Sequence, residues 1–541
     1  MMMTLDNAGI KDRLAWEEQG YQLPCFDREK VTAATMENPF WVHFGAGNLF
    51  RAFQANVVQR LLNDGVLDRG LVVVEGFDHE IIEKVYTPHD HLSILVTLKA
   101  DGSVEKTVVG SIVEALALGQ GPEHMASFER LKEIFAKDSL QMVSFTITEK
   151  GYSLVDGRGA VLPSVAADFE AGPQAAVSSI GKVTALLYAR YQSGKKPIAL
   201  VSMDNCSHNG DKLRDAVYAF ARQWTQHHLV EEGFWEYVQS KDKVAFPWTM
   251  IDKITPRPDA SVEEMLKKDG IAGLDPVITA KNTYVAPFVN AEECEYLVIE
   301  DAFPNGRQAL DKGGLIFTER ETVDKVEKMK VCTCLNPLHT TLAIFGCLLG
   351  YQKISEEMQD TALRKLVEKI GYEEGLPVVT DPVILNPRAF LDTVLNVRIP
   401  NPFMPDTPQR IATDTSQKLA IRFGETIKAY HASAQHQVSD LKMIPLVFAG
   451  WLRYLMAVDD TSASFALSPD PMLETLCPHV AGIRLGETAD VEAQIRPILQ
   501  NKAIFGVDLY EVGMAKTVCD DFQQMIAGTG AVRAVLNRIS E

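Results

Sequence analysis

Basic residues are in short supply in this chain: 53 lysines and arginines face 72 aspartates and glutamates, for a formal charge of −19. A phosphate backbone binds a basic surface, so this acid excess argues against nucleic acid as a partner. It leaves small anions open, because a local basic pocket can form inside an acidic protein. Long apolar runs are also missing. The longest, 341–350 and 443–458, are too short or too interrupted to span a bilayer, and no membrane helix is expected. The opening Met1-Met-Met-Thr-Leu-Asp6 lacks the basic start and apolar core of a secretory signal, which points to the cytoplasm. Cysteine is sparse. Its eight copies (Cys25, Cys206, Cys294, Cys332, Cys334, Cys347, Cys477, Cys519) sit mostly in apolar contexts and read as reduced core thiols. Cys332-Thr-Cys334 is neither a zinc nor a redox spacing, and His89-Asp-His91 has no second cluster at ligand distance, so no metal is expected. Internal repeats and low-complexity tracts are absent.

What is present is ample core. A chain of 541 residues with 46% hydrophobic side chains exceeds what one core organises, so two large domains are expected. From about residue 38, short β-type runs alternate with helical patterns, the signature of a parallel α/β sheet. The runs 41–44, 71–74, 142–147 and 198–203 are near-continuously apolar, as strands covered on both faces should be. After about residue 320 the pattern turns helical, over 340–349, 354–370, 411–430, 442–456 and 522–539. The Phe303-Pro-Asn-Gly-Arg307 turn lies near the change, giving domains 1–315 and 316–541. Residues 1–37 read as an ordered leader on the first domain.

Two segments carry chemistry. Phe44-Gly45-Ala46-Gly47-Asn48-Leu49-Phe50-Arg51 follows the first strand and opens an amphipathic stretch. Two glycines let the chain turn sharply and let a pyrophosphate approach backbone amides at a helix start, with Arg51 as a phosphate contact. The third glycine of the usual fingerprint is replaced by Phe50. The second strand ends in Glu75 and Asp78, acids placed for the adenosine ribose hydroxyls, which favours NAD over NADP. The other segment, Glu327-Lys-Met-Lys330-Val-Cys-Thr-Cys-Leu-Asn336-Pro-Leu-His339, puts a lysine, an asparagine and a histidine into apolar surroundings. Apolar neighbours disfavour an ammonium and bring a lysine toward general acid/base work. A capped helix start, with Asn336 as N-cap and Pro337 first in the helix, reads equally well.

With these two segments stand Thr146-Ile-Thr148-Glu149-Lys-Gly151-Tyr152, Ser202-Met-Asp204-Asn205-Cys-Ser-His-Asn209-Gly210, Phe246-Pro-Trp-Thr-Met-Ile-Asp252-Lys-Ile-Thr-Pro256 and Val298-Ile-Glu-Asp301-Ala-Phe-Pro-Asn-Gly-Arg307. In this order they resemble the mannitol dehydrogenase family of polyol-specific long-chain dehydrogenases, from about residue 38 to the C-terminus, and within it the uronate-handling branch. The resemblance implies an α/β protein: an N-terminal Rossmann-type domain with a mostly parallel sheet, and a mainly α-helical C-terminal domain. It implies metal-independent hydride transfer between NAD and a secondary alcohol carbon, with D-fructuronate and D-mannonate as the pair. Another keto-uronate, a neutral polyol, or an epimerisation that retains NAD stay open. Lys330 then matches the general acid/base, Asn336 and His339 its polar partners, and Asn205 a second amide on the reacting oxygen. Glu327 resembles a glutamate that links the lysine to solvent. The cofactor falls to Gly45, Ala46, Gly47, Asn48, Leu49, Arg51, Glu75, Asp78 and Glu149; the substrate falls to Asp252 and to Arg398 of Arg398-Ile-Pro-Asn401-Pro402. Arg410, Lys418 and Arg422 could add a cation for a carboxylate. The oligomeric state, monomer or dimer, is left open.

One spacing departs from the family. Lysine to asparagine is five steps there and six here, Lys330 to Asn336. One extra residue turns a helix by about 100° unless a bulge or kink absorbs it. Lys325 and Lys328 therefore remain as candidates.

Overall fold

The computed structural model describes residues 3–487 and 491–540. The chain divides into two compact units, residues 1–98 with 103–324, and residues 99–102 with 325–541.

The first unit is organised by a six-stranded sheet. Its strands are β1 (Trp41–Phe44), β2 (Leu71–Glu75), β3 (Ile112–Ala117), β4 (Met142–Phe145), β5 (Ile198–Ser202) and β6 (Val244–Ala245). They lie in the order 3-2-1-4-5-6 with every neighbouring pair parallel. This is the doubly wound dinucleotide-binding order, whose topological switch point lies between β1 and β4. Alternation along the strands fills two cores. Val42, Phe44, Val72, Val74, Val143 and Phe145 point to one, and Trp41, Leu71, Val73, Met142, Ala199 and Val201 to the other. Burial on both faces is why these strands read as near-continuously apolar. A four-stranded sheet is built from Phe288–Glu292, Ser93–Leu98, Val104–Val109 and Tyr21–Gln22, and a three-stranded one from Thr249–Asp252, Tyr296–Glu300 and Ile316–Thr318. The N-terminal segment is tied in by strand pairing of Tyr21–Gln22 with 106–107 and of Met3–Thr4 with Ile271–Ala272.

The second unit is helical, with frequent interruptions. Where one helix was expected over 354–370 there are two, Ile354–Glu357 and Thr361–Lys369; 411–430 breaks into short pieces ending in Glu425–Ala432; and 522–539 splits into Ala515–Met525 and Ala531–Ser540. The first break is a turn at 358–360, the second contains the π-turn Ala420–Gly424, and the third is a turn at 526–530 that carries Gly528 and Gly530 at positive φ. Four π-helical turns, Met329–Cys334, Ile370–Gly375, Val394–Arg398 and Ala420–Gly424, take up residues that a 3.6-residue period cannot place. Such turns are rare in ordinary proteins. The first packs against both the Ile370–Gly375 and Ala420–Gly424 turns. The helical run 320–349 is long and apolar enough to cross a membrane by length and composition, contrary to the expectation from sequence; 78% of its apolar window is buried, as in a core helix.

Candidate active site

In the first unit, helix α1 (Asn48–Ala52) begins directly after Gly47. Gly45 has φ +113°, and a Cβ there would lie 2.2 Å from the Thr146 carbonyl oxygen, so only glycine fits this close approach to β4. A Cβ on Gly47 would meet nothing within 4 Å. That glycine leaves room beside the backbone, the shape a phosphate-bearing ligand requires. Beneath the loop, His43 is fully buried between the hydroxyls of Ser144 and Thr146, at 2.6 and 2.8 Å, and burial pushes its pKa down to about 3. It is a neutral prop.

Glu75, the last residue of β2, accepts from the amides of Ala46 at 2.9 Å, Phe77 at 2.8 Å and Asp78 at 3.1 Å, so its carboxylate is bound to the glycine loop itself. Asp78 turns away, buried and accepting from the Thr279 hydroxyl at 2.6 Å. A cavity of about 480 Å³ opens at the C-terminal ends of β2 and β3, lined by Phe77, His79, Gly119, Lys182 and Lys281. In a doubly wound sheet a ligand crevice lies at this end of the strands.

Arg51 is a correction. Its guanidinium is buried, donating to the Ala286 carbonyl at 2.7 Å and to the Asn48 side-chain oxygen at 2.8 Å, and it faces the Tyr86 ring. It fastens α1 to the next sheet and is not presented as a phosphate contact. Asn48 also donates to the Pro256 carbonyl at 3.2 Å, and Leu49 is half-buried. Glu149 is exposed and paired with Lys212. Asn205 is exposed just beyond β5, while Asp252 ends its strand in a buried position.

In the second unit, Lys330 is 2% exposed, whereas Lys328 is exposed and Lys325 half-buried. Burial thus singles out Lys330. It lies in the π-turn Met329–Cys334, closed by the Leu335 amide donating to the Lys330 carbonyl at 3.1 Å, five residues back. That wide turn absorbs the extra residue before Asn336. Helix α2 (Asn336–Leu349) follows with Leu335, φ −129° and ψ −61°, at its N-cap. Asn336 is therefore inside the helix and not its cap, and Pro337 is second. The Asn336 and His339 side chains, both half-buried, share the first turn.

Among the cation candidates, Arg410 pairs with Asp406, and Lys418 donates to the Thr413 carbonyl at 2.5 Å. Arg422 instead donates to the Thr340 hydroxyl at 2.5 Å, next to His339, and burial lowers its pKa to about 10. The sequence pattern grouped Arg422 with solvated helix residues; its neighbours Leu419 and Phe423, both buried, were the available signal. Arg398 is buried at the end of its own π-turn. Among the described residues, no group of three His, Cys, Asp or Glu side chains is placed to hold a metal ion. All eight cysteines are free thiols.

Comparison with known proteins gives the family. Residues 40–312 match the Mannitol dehydrogenase Rossmann domain, and residues 322–526 match the Mannitol dehydrogenase C-terminal domain. The chain is 52% identical over 539 residues to a D-mannonate oxidoreductase of Thermotoga maritima, covering 99% of each. It is 29% identical to the D-mannonate oxidoreductase of Escherichia coli, covering 92% of this chain and 93% of that one. Among solved structures it is similar to Pseudomonas fluorescens mannitol 2-dehydrogenase in ternary complex with NAD and D-mannitol, with TM-score 0.68, 26% identity and 99% of each chain covered. The chain belongs to the mannitol dehydrogenase family of oxidoreductases.

Proposed function

We propose that this chain is an NAD-dependent oxidoreductase of the cytoplasm that interconverts D-fructuronate and D-mannonate. The observation that carries the reading is the burial of Lys330 on a π-turn directly before the helix that bears Asn336 and His339. The substrate pair is supported by the 52% identical relative, a D-mannonate oxidoreductase. The cofactor is supported by the glycine loop at the end of β1, the open space at Gly47 and the Glu75 carboxylate at the loop. When bound there, NAD carries the hydride.

The remaining chemistry belongs to the chain. In reduction, the Lys330 ammonium gives a proton to the carbonyl oxygen; in oxidation, its neutral amine removes the hydroxyl proton. The amides of Asn336 and Asn205 donate to that oxygen and stabilise the developing alkoxide, a fixed-dipole effect of about 3 kcal/mol per donor. His339 orients the oxygen, and Glu327, half-buried one turn before the lysine, passes protons to solvent. Arg422 and Arg398 hold the carboxylate.

A panel of keto-uronates and ketoses with NADH, followed by absorbance, tests the reading. D-Fructuronate should give stoichiometric NADH loss, unaffected by dialysis against EDTA, with NADPH poorer by roughly 10-fold or more. Epimerisation of the substrate without net NADH change would contradict the assignment.

A further inference from the structure

Asp204 sits two residues beyond β5 and is only 8% exposed. One oxygen accepts from the Thr148 amide at 2.9 Å; the other accepts from the Ile147 amide at 3.0 Å and the Tyr152 hydroxyl at 2.5 Å. Thr148 has φ +63°, a left-handed conformation that a β-branched residue adopts only when its surroundings hold it there. Two successive amides converging on one carboxylate supply that hold. The backbone of Asp204 is fixed as well: its carbonyl accepts from the Asn209 side chain at 2.9 Å, and that amide is locked in turn to Thr249, accepting from its N–H at 3.0 Å and donating to its hydroxyl at 2.8 Å. The peptide that leads into Asn205 is therefore pinned on both sides, and the turn held by the same carboxylate leads into Glu149.

A dipole stabilises a developing charge only if it is already in place, and errors of an ångström are costly. We propose that Asp204 is a positioning residue that holds Asn205 on the reacting oxygen. The proposal rests on the role given to Asn205 above. A buried anion is tolerated here because three donors satisfy it. An amide in its place would turn an N–H toward one of the two backbone donors.

The test is a cycle of Asp204→Asn, Asn205→Ala and the double variant, reading kcat and KM for the keto-uronate, NADH binding by fluorescence, and melting temperature. Asn205→Ala should lower kcat roughly 100-fold. Asp204→Asn should lower kcat roughly 10-fold with NADH binding unchanged, and should add nothing when Asn205 is already alanine. Should Asp204→Asn fail to fold, Tyr152→Phe, which removes one donor, gives the same reading: a kcat loss of several-fold that vanishes in the Asn205→Ala background. If Asn205→Ala is crippled but the second substitution multiplies the loss, or has no effect alone, the positioning role is overturned and that of Asn205 stands. If Asn205→Ala keeps wild-type kcat, both fall.

Discussion

Glu357 is fully buried, and neither of its carboxylate oxygens finds a hydrogen-bond donor among the described residues. It presses on α2 where Gly346 leaves space: a Cβ at that position would lie 2.3 Å from a Glu357 oxygen. Burial, with the nearby charges of Asp360 and Glu356, holds its pKa well above the ordinary 4.5. The sign of the consequence is fixed. A folded-state pKa above the unfolded one gives stability that is fully present below the unfolded pKa and is lost as pH rises toward the folded value. Glu357→Met keeps the volume and removes the titration. The variant should melt higher than wild type at pH 8, by roughly 2–4 °C for about 1 kcal/mol, with the gap narrowing toward pH 5. A variant that is less stable at every pH would mean that the carboxyl is satisfied.

At the scale of elements, the π-turns do more than break helices. The turn Ile370–Gly375 presents Glu374, whose carboxylate accepts from the amides of Lys442 at 2.5 Å, Met443 at 2.6 Å and Ile444 at 2.9 Å. These are the orphan donors at the start of helix α3 (Met443–Leu455), so a side chain 68 to 70 residues away in sequence does the work of an N-cap. Burial pushes the Glu374 pKa up against the pull of these three bonds. Glu374→Ala strands one buried and two part-buried amides and should lower the unfolding free energy of the second unit by roughly 2–4 kcal/mol, read from its urea transition. A loss below about 0.5 kcal/mol would assign the cap to another group. This coupling leaves no local trace in sequence, and neither does a π-turn. Periodicity found the apolar core of α2 at 340–349, but it carried one helix across the turns at 358–360 and 526–530 and across the π-turn Ala420–Gly424, and so merged distinct helices.

At the scale of the whole molecule, the parallel sheet was legible where burial is two-sided. β1, β2, β4 and β5 are near-continuously apolar, and the glycine loop follows the first of them as the dinucleotide topology requires. β3 mixes exposures in Ile112–Ala117, and Val104–Val109 carries Glu105 and Lys106, so neither stood out; Ser93–Leu98, mostly buried and uncharged, was missed although its residues allow a strand. The Arg51 reading failed for a related reason. A guanidinium at a helix start looks like an anion contact until the partner carbonyl, Ala286, is brought to it from 235 residues away. The Lys330 segment was legible in its residue types, whereas its register needed the fold: burial of Lys330, exposure of Lys328 and the wide turn before Asn336. The account accordingly stands on one measurement, kcat for keto-uronate reduction in Lys330→Ala beside Lys328→Ala. The account predicts that Lys330→Ala loses at least roughly 100-fold in kcat with NADH binding intact, and loses the corresponding limb of the pH profile, while Lys328→Ala stays near wild type. A crippled Lys328→Ala beside a near-normal Lys330→Ala would contradict it.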